Sequence, residues 1–492
     1  MFRWFIELFN NYGNILSTEL DRKRTVNIAA LTIGFVLVLE ASLIGTGRFS
    51  PDSWTVFELS KTIFSNHFYE FNTLRSYFSS VHSASFPFGL PILLAAFQKI
   101  GLHSPIVAVG INIFVSVITI YFIFWICKKH NIAGILAFAL LLSLLLNPYY
   151  LDEVLSGRTI PLSILLFIVA YWFSLYDKLF TVGIFLSLSA LVRFDFLVYA
   201  VVFQLIAVVY KSHTKRQLAL MLLGFTIGLL PWVSYSFLNF GKLWISDNSW
   251  VVISSVPVYV LDYPATSSAT LFNEPLVWLE KIIKNILPTI SAVLITSLAF
   301  PVLLVFIRHV SSLWKNIKQG RQKIFGLAIV FLAILPNIAS GYHDRRYFIL
   351  ILFVASFVLI KHVWETKKIS VSIKLDGLAF LSIILSALIG TSVLLMYGID
   401  SKMKNENIRI EMDQIRKIYT CHKTHPEETY IFIKDANFIA PKYGAITGMK
   451  TAFIPSNFDD MNGKEREMYF SKMVPYKLIE NLSNLSDCQS LQ

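Results

Sequence analysis

Apolar runs long enough to cross a membrane recur along this chain, and they constrain its fold more than any other feature. The first, Thr25 to Ile44, follows the basic cluster Arg22-Lys23-Arg24. About 20 apolar residues span a bilayer, and backbone inside hydrocarbon must satisfy its own hydrogen bonds, which selects helices. Ten further runs follow: Ser104–Cys127, Ile132–Leu146, Ile160–Leu175, Leu179–Leu191, Phe194–Tyr210, Leu218–Leu238, Ile286–Ile307, Ile324–Ala339, Tyr347–Ile360 and Leu375–Tyr397. Only 15% of the 492 residues are charged, where a soluble domain carries about 25%. The expected fold is an all-α polytopic membrane protein with eleven transmembrane helices and a small α/β domain at its C-terminal end.

Charge sets the sidedness. Residues 398–492 hold 13 Lys/Arg and 13 Asp/Glu, so the formal charge of +12 lies entirely in the earlier part. With residues 1–24 in the cytoplasm, 19 of the 30 Lys/Arg before residue 398 fall on inner loops. That is the positive-inside asymmetry of a membrane protein, and it argues against nucleic acid as a partner. The transmembrane domain then covers residues 25–397, the first outer loop 45–103, and an extracytoplasmic domain 398–492. Met1 to Arg24 has no small-residue cleavage pattern, so no cleaved signal peptide is expected. Arg193 and Asp195 are read as lying at an outer turn between two short helices. Merging those helices would invert every later loop.

The first outer loop opens Gly45-Thr46-Gly47-Arg48-Phe49-Ser50-Pro51-Asp52 and runs on to Phe86-Pro87-Phe88-Gly89-Leu90-Pro91. Phe88 to Ile100 is apolar but too short to span, which suits a helix lying at the interface. Asp52, just past a membrane helix, is either the cap of a helix starting near Ser53 or a catalytic acid that meets a substrate at the membrane edge. Asp152, Glu153 and Arg158 form a second cluster, either a solvated turn or part of a substrate site. Arg193 with Asp195 is a third, since charge near hydrocarbon is usually paired or functional. The fourth is His343-Asp344-Arg345-Arg346-Tyr347. Guanidiniums bind phosphate oxygens bidentately, although plain anchoring to anionic headgroups is the alternative.

No glycine-rich phosphate loop, HExxH or CxxC occurs, so nucleotide chemistry and a dedicated metal centre have no motif behind them. Of the three cysteines, Cys127 ends a helix beside Lys128 and Lys129, while Cys421 and Cys488 share the tail and could form a disulfide if it faces an oxidising compartment. The tail also carries a helical apolar pattern over Lys402–Tyr419 and a strand pattern over Thr429–Ile433.

In their order and sidedness these motifs resemble the GT-C superfamily of integral-membrane glycosyltransferases, such as the protein O-mannosyltransferases and the aminoarabinose transferases. The resemblance covers residues 25–397 and rests on Asp52 in the first outer loop, the interfacial segment Phe86–Pro91, Arg193 at an outer helix turn, and Asp344-Arg345-Arg346-Tyr347 before an apolar run. It implies a bacterial inner-membrane enzyme of the hexosyltransferase type that takes sugar from a polyprenyl-phosphate donor. The acceptor would be a lipopolysaccharide O-antigen, another glycan or glycolipid, or a protein. Asp52 would act as catalytic base and Arg345, Arg346, Arg193 and His343 would hold the donor phosphate. Many relatives carry paired acids in the first loop; here Ser53 follows Asp52, which leaves a divalent metal open. A lipid-linked glycan flippase is the competing class. It would show polar or broken helices near the midplane and a repeat between its halves, whereas here the ionisable groups are read at the outer edge and no repeat is evident. An O-antigen polymerase or ligase would share the substrate class.

Overall fold

A computed structural model describes residues 23–44, 49–66, 68–70, 73–74, 83, 86–209, 214–246, 251–253, 271–306, 333–367 and 378–397, and from the tail 430–433, 451–452, 462–464 and 476–479. The chain opens with α1 (Lys23–Ile44), α2 (Pro51–Thr62), α3 (Gly89–Lys99) and α4 (Val107–Lys129). Next come α5 (Gly134–Leu145), α6 (Pro148–Leu155), α7 (Ile160–Ser174), α8 (Leu179–Val192), α9 (Phe196–Val209) and α10 (Lys215–Phe240). Then follow α11 (Pro275–Leu298), α12 (Pro301–Val305), α13 (Leu335–Ser340), a 3-10 turn at Arg345–Phe348, α14 (Ile349–Lys367) and α15 (Leu378–Tyr397).

Among the described residues six helices are long and apolar enough to cross a membrane, and seven if α5 and α6 make one bent span. Helices α7, α8 and α9 are apolar but shorter. This is a polytopic helical membrane protein. Arg193, extended at φ −157 and ψ 121, separates α8 from α9, so the two short helices are distinct. The interfacial segment is the eleven-residue helix α3.

Several boundaries differ from expectation, each for a local reason. The run expected as one helix over Ile286–Ile307 instead begins at Pro275 and stops at Leu298. Pro301 bars the helical region to the residue before it, and Phe300 sits at φ −111 and ψ 86. Asn147 to Glu153, expected as a turn, is helical: Asn147 caps α6 by accepting from the amides of Tyr149 and Tyr150, with Pro148 in the first turn. Helix α6 is bent 61° from α5, and Asn147 Nδ2 ties the bend to the Ala299 carbonyl at 3.0 Å. Of the crossing expected over Ile324–Ala339, residues 324–332 lie outside the described set. So do Cys421, Cys488 and the Lys402–Tyr419 pattern.

The tightest seam in the bundle joins α8 to α10. A Cβ on Gly183 would stand 2.1 Å from the Met221 carbonyl oxygen, and one on Gly224 would stand 2.2 Å from that of Phe180. Lipid offers no hydrophobic drive between helices, so small residues that let backbones touch supply van der Waals contact instead. Gly89, opening α3, plays the same part. Its Cβ would meet Val192 at 2.3 Å, so α3 is pressed against the end of α8 just before Arg193.

Above α3 the first loop is pinned by aromatic groups. Buried Tyr69 donates its hydroxyl to the carbonyls of Phe86 (2.9 Å) and Pro87 (3.0 Å) and meets Phe88 edge-on at 4.8 Å. Tyr235 of α10 donates to the Ser83 carbonyl at 2.9 Å. Four short parallel strands pair in the order β1-β3-β2-β4. Strand β1 (Thr73–Leu74) comes from the first loop, while β2 (Tyr430–Ile433), β3 (Thr451–Ala452) and β4 (Tyr476–Ile479) come from the tail. The expected strand at Thr429–Ile433 is therefore present, and the tail's sheet takes an edge strand from the loop that carries Asp52.

Candidate active site at the membrane rim

The first turn of α2 shows why Asp52 is available. Ser50, not Asp52, is the N-cap: Ser50 and Ser53 exchange side-chain and backbone hydrogen bonds at 3.3 Å in a capping box, with Pro51 at the first helical position. The expected cap role of Asp52 is thus filled by its neighbour. The Asp52 carboxylate, 37% exposed, turns to Arg346 Nη2 at 3.4 Å.

The second cluster builds on the end of α6. Gly157 holds φ +67, and a Cβ there would stand 2.9 Å from that of Ala108, so the chain reverses tightly enough to bring Arg158 back over the helix. Arg158 Nη1 reaches Asp152 and Glu153, each at 3.0 Å, while its Nε donates to Ser50 Oγ at 3.0 Å. Burial opposes the Arg158 charge, but the carboxylates beside it, Glu153 first, outweigh that and raise its pKa. From α4, the buried Asn112 donates Nδ2 to the carbonyls of Glu153 (3.2 Å) and Arg158 (2.8 Å).

The third and fourth clusters meet on one ring. Arg193 Nε pairs with Asp195 at 2.7 Å and Nη1 donates to Thr159 Oγ1 at 3.3 Å, and its guanidinium lies 4.7 Å from the Tyr347 ring centroid. Arg193 is buried, which opposes its charge, yet Asp195 prevails and its pKa is raised. Arg346, 5.5 Å from the same ring, pairs with Glu153 at 3.3 Å and Asp344 at 3.0 Å as well as with Asp52. The two consecutive arginines diverge. Arg345 is exposed and donates Nη1 to the Tyr149 hydroxyl at 2.8 Å, with its guanidinium 5.7 Å from that ring. Among the described residues it is the one guanidinium of the four that pairs with no carboxylate.

Asp52, Asp152, Glu153, Arg158, Arg193, Arg345 and Arg346 thus gather at one rim of the bundle. His343 stands to one side, with Nδ1 3.2 Å from Thr289 Oγ1 of α11, and burial lowers its pKa. Motif reading missed Ser50, Asn112, Tyr149 and Thr159, which hold the charged groups or the backbone beside them, and Tyr199, which donates to the Tyr347 carbonyl. Among the described residues no three His, Cys, Asp or Glu side chains gather to hold a metal ion. The carboxylates here face guanidiniums instead, a donor set that does not fit a metal.

An apolar cavity of about 280 Å³ lies beside this rim. It is bounded by Tyr199, Leu350, Phe353, Phe357, Tyr171 and Cys127. The Tyr199 hydroxyl donates to the Tyr347 carbonyl at 2.9 Å, so the cavity begins next to Arg346. From Leu350 to Phe357 its wall follows α14 for about 10 Å at 1.5 Å per residue.

No family model matches the sequence, and no curated protein sequence matches it. The fold does match a solved structure, the crystal structure of ArnT from Cupriavidus metallidurans bound to undecaprenyl phosphate. The TM-score is 0.51 at 10% identity, over 92% of this chain and 90% of that one. At such identity the likeness is one of fold: the chain shares the helical membrane architecture of that protein.

Proposed function

We propose that this protein is a GT-C-type glycosyltransferase of the bacterial cytoplasmic membrane, with its active site and tail domain on the outer face and eleven crossings. It would move a hexosyl group from a polyprenyl-phosphate donor to an envelope acceptor such as O-antigen. One observation carries this: a part-exposed carboxylate and a set of guanidiniums share a rim that adjoins a cavity with an almost wholly apolar lining. A lipid-linked sugar needs that combination, with hydrocarbon around its tail, cations at its phosphate and a base at its sugar. The fold likeness to a protein crystallised with undecaprenyl phosphate points the same way.

In this reaction the acceptor hydroxyl attacks the anomeric carbon as its proton passes to Asp52. The bond from that carbon to the phosphate oxygen breaks, and the electron pair leaves with the polyprenyl phosphate. Direct displacement inverts the anomeric centre. Arg346 pairs with Asp52 at 3.4 Å and so orients the carboxylate. Arg345, exposed and paired with no carboxylate among the described residues, would meet the phosphate, whose charge grows as the bond breaks, and stabilising that charge lowers the barrier. Arg193, already held by Asp195 and Thr159, supports the Tyr347 ring behind Arg346.

The test is release of polyprenyl phosphate when purified protein in detergent meets a panel of polyprenyl-phosphate sugars and an O-antigen acceptor. Asp52→Asn should lower the rate about 10²–10⁴-fold, the usual contribution of a general base, in protein that still purifies folded and monodisperse. Full activity in that variant removes Asp52 from the mechanism.

A further inference from the structure

Glu153 is the most deeply placed charge at the rim, fully buried on α6. Its Oε1 bridges Arg158 (3.0 Å) and Arg346 (3.3 Å), while its Oε2 is buried with no hydrogen-bond partner among the described residues. A buried carboxylate left half-satisfied is costly, so what it holds matters. Both of its guanidiniums continue to the same place. Arg346 goes on to the Asp52 carboxylate, and Arg158 goes on to Ser50 Oγ, the cap of the helix that carries Asp52. The result is a closed ring, Glu153–Arg346–Asp52–Ser50–Arg158–Glu153, with two backbone steps between Ser50 and Asp52. Asn112 fixes the α6 end of the ring through the carbonyls of Glu153 and Arg158.

Building on the transferase proposal, we infer that Glu153 and Arg158 are positioning residues, which hold Asp52 from two sides and do not bind substrate. The capping box and the buried Trp54 and Phe57 seat helix α2, and the ring adds a fixed point on either side of the Asp52 carboxylate. One arm of the ring fixes the carboxylate and the other fixes the backbone cap two residues before it. No burial-free face of Glu153 is left for a sugar or a phosphate. This separates Glu153 from its neighbour Asp152, which is part-exposed beside it.

Glu153→Gln keeps the shape and removes the charge that draws the two guanidiniums together. It should lower kcat on the order of 10²-fold, the cost of a misplacement near 1 Å, with KM for the donor within about twofold of the parent. Arg158→Lys breaks only the arm to Ser50 and should lower kcat less, again with KM held, which keeps the test alive should Glu153→Gln fail to fold. A second measurement needs no activity: unfolding midpoints of Asp52→Asn, Glu153→Gln and the double variant. Because the ring joins the two sites, the double variant should lose less than the sum of the single losses. Parental kcat in Glu153→Gln, a rise in KM matching the loss of rate, or strictly additive midpoints would each overturn the inference. A parent that accepts no polyprenyl-phosphate sugar would instead sink the proposed function, while the midpoints still decide the ring.

Discussion

The α8–α10 seam and the rim site show two ways of fixing helices in a membrane. At the seam Gly183 and Gly224 bring backbone against backbone, with no charge involved. At the rim α2, α6 and the turn before α14 are joined by ion pairs and hydrogen bonds that cross between elements far apart in sequence. Contact at the seam is short-ranged and intolerant of added atoms. Coupling at the rim is directional and tolerates solvent on one side. The seam should therefore answer to volume and the rim to charge, so substitutions in the first should destroy the fold and substitutions in the second the chemistry.

The largest effect is expected at the seam. Gly224→Val would drive a branched side chain into the Phe180 carbonyl, where a Cβ alone already stands at 2.2 Å. Overpacking usually costs about 1–3 kcal/mol, and backbone that cannot yield puts this case at the upper end. Yield of monodisperse protein and its unfolding midpoint in detergent should both fall sharply, whereas Gly110→Ala, on α4 with open space around it and ordinary helical backbone, serves as the contrasting case. A parental midpoint for Gly224→Val would mean that the seam is not held by close approach.

At the rim, Arg345→Gln should do the reverse. Arg345 is exposed and among the described residues pairs with no carboxylate, holding only the Tyr149 side chain at the surface, so its loss should shift the midpoint far less than a seam substitution does. A hydrogen bond to a charged group is worth about 1.5–3 kcal/mol, which corresponds to about a 10- to 100-fold fall in kcat/KM for the lipid-phosphate donor. Steady-state kinetics against donor concentration reads it. Equal losses of midpoint and kcat/KM would erase the contrast between rim and seam.

How much of this was legible differs between the same two regions. The rim clusters stood out because arginine and aspartate are costly near hydrocarbon, so Asp52, Arg193 and the Arg345-Arg346 pair could be found one at a time. Their pairing could not, since Asp52 and Arg346 lie 294 residues apart and nothing local matches one acid to one guanidinium. Asp52 stood as a possible cap beside its catalytic reading because Asp caps well, yet Pro51, favoured at the first helical position, already pointed to Ser50. Asn147-Pro148 carries the same signal and begins α6, which motif reading took for a turn. Helix α11 begins at Pro275, before Glu280, Lys281 and Lys284, and those charges hide its first turns from hydropathy. The seam glycines carry no signal of their own, because close approach exists only between two helices.

His343 gives the smallest effect and the finest test of where the rim ends. It bonds Thr289 on α11 and touches none of the ring, and burial lowers its pKa. The folded protein therefore prefers the neutral imidazole more than the unfolded chain does. The stability this contributes is present above the ordinary histidine value of about 6.5 and is lost as pH falls through the lowered one. Unfolding midpoints taken from pH 7.5 downward should show the parent losing slightly more than His343→Gln, with the two curves separating only below about pH 6.5. If the parent instead gains on the variant as pH falls, His343 is meeting an anion as a cation, and the phosphate-binding edge of the site extends to α11.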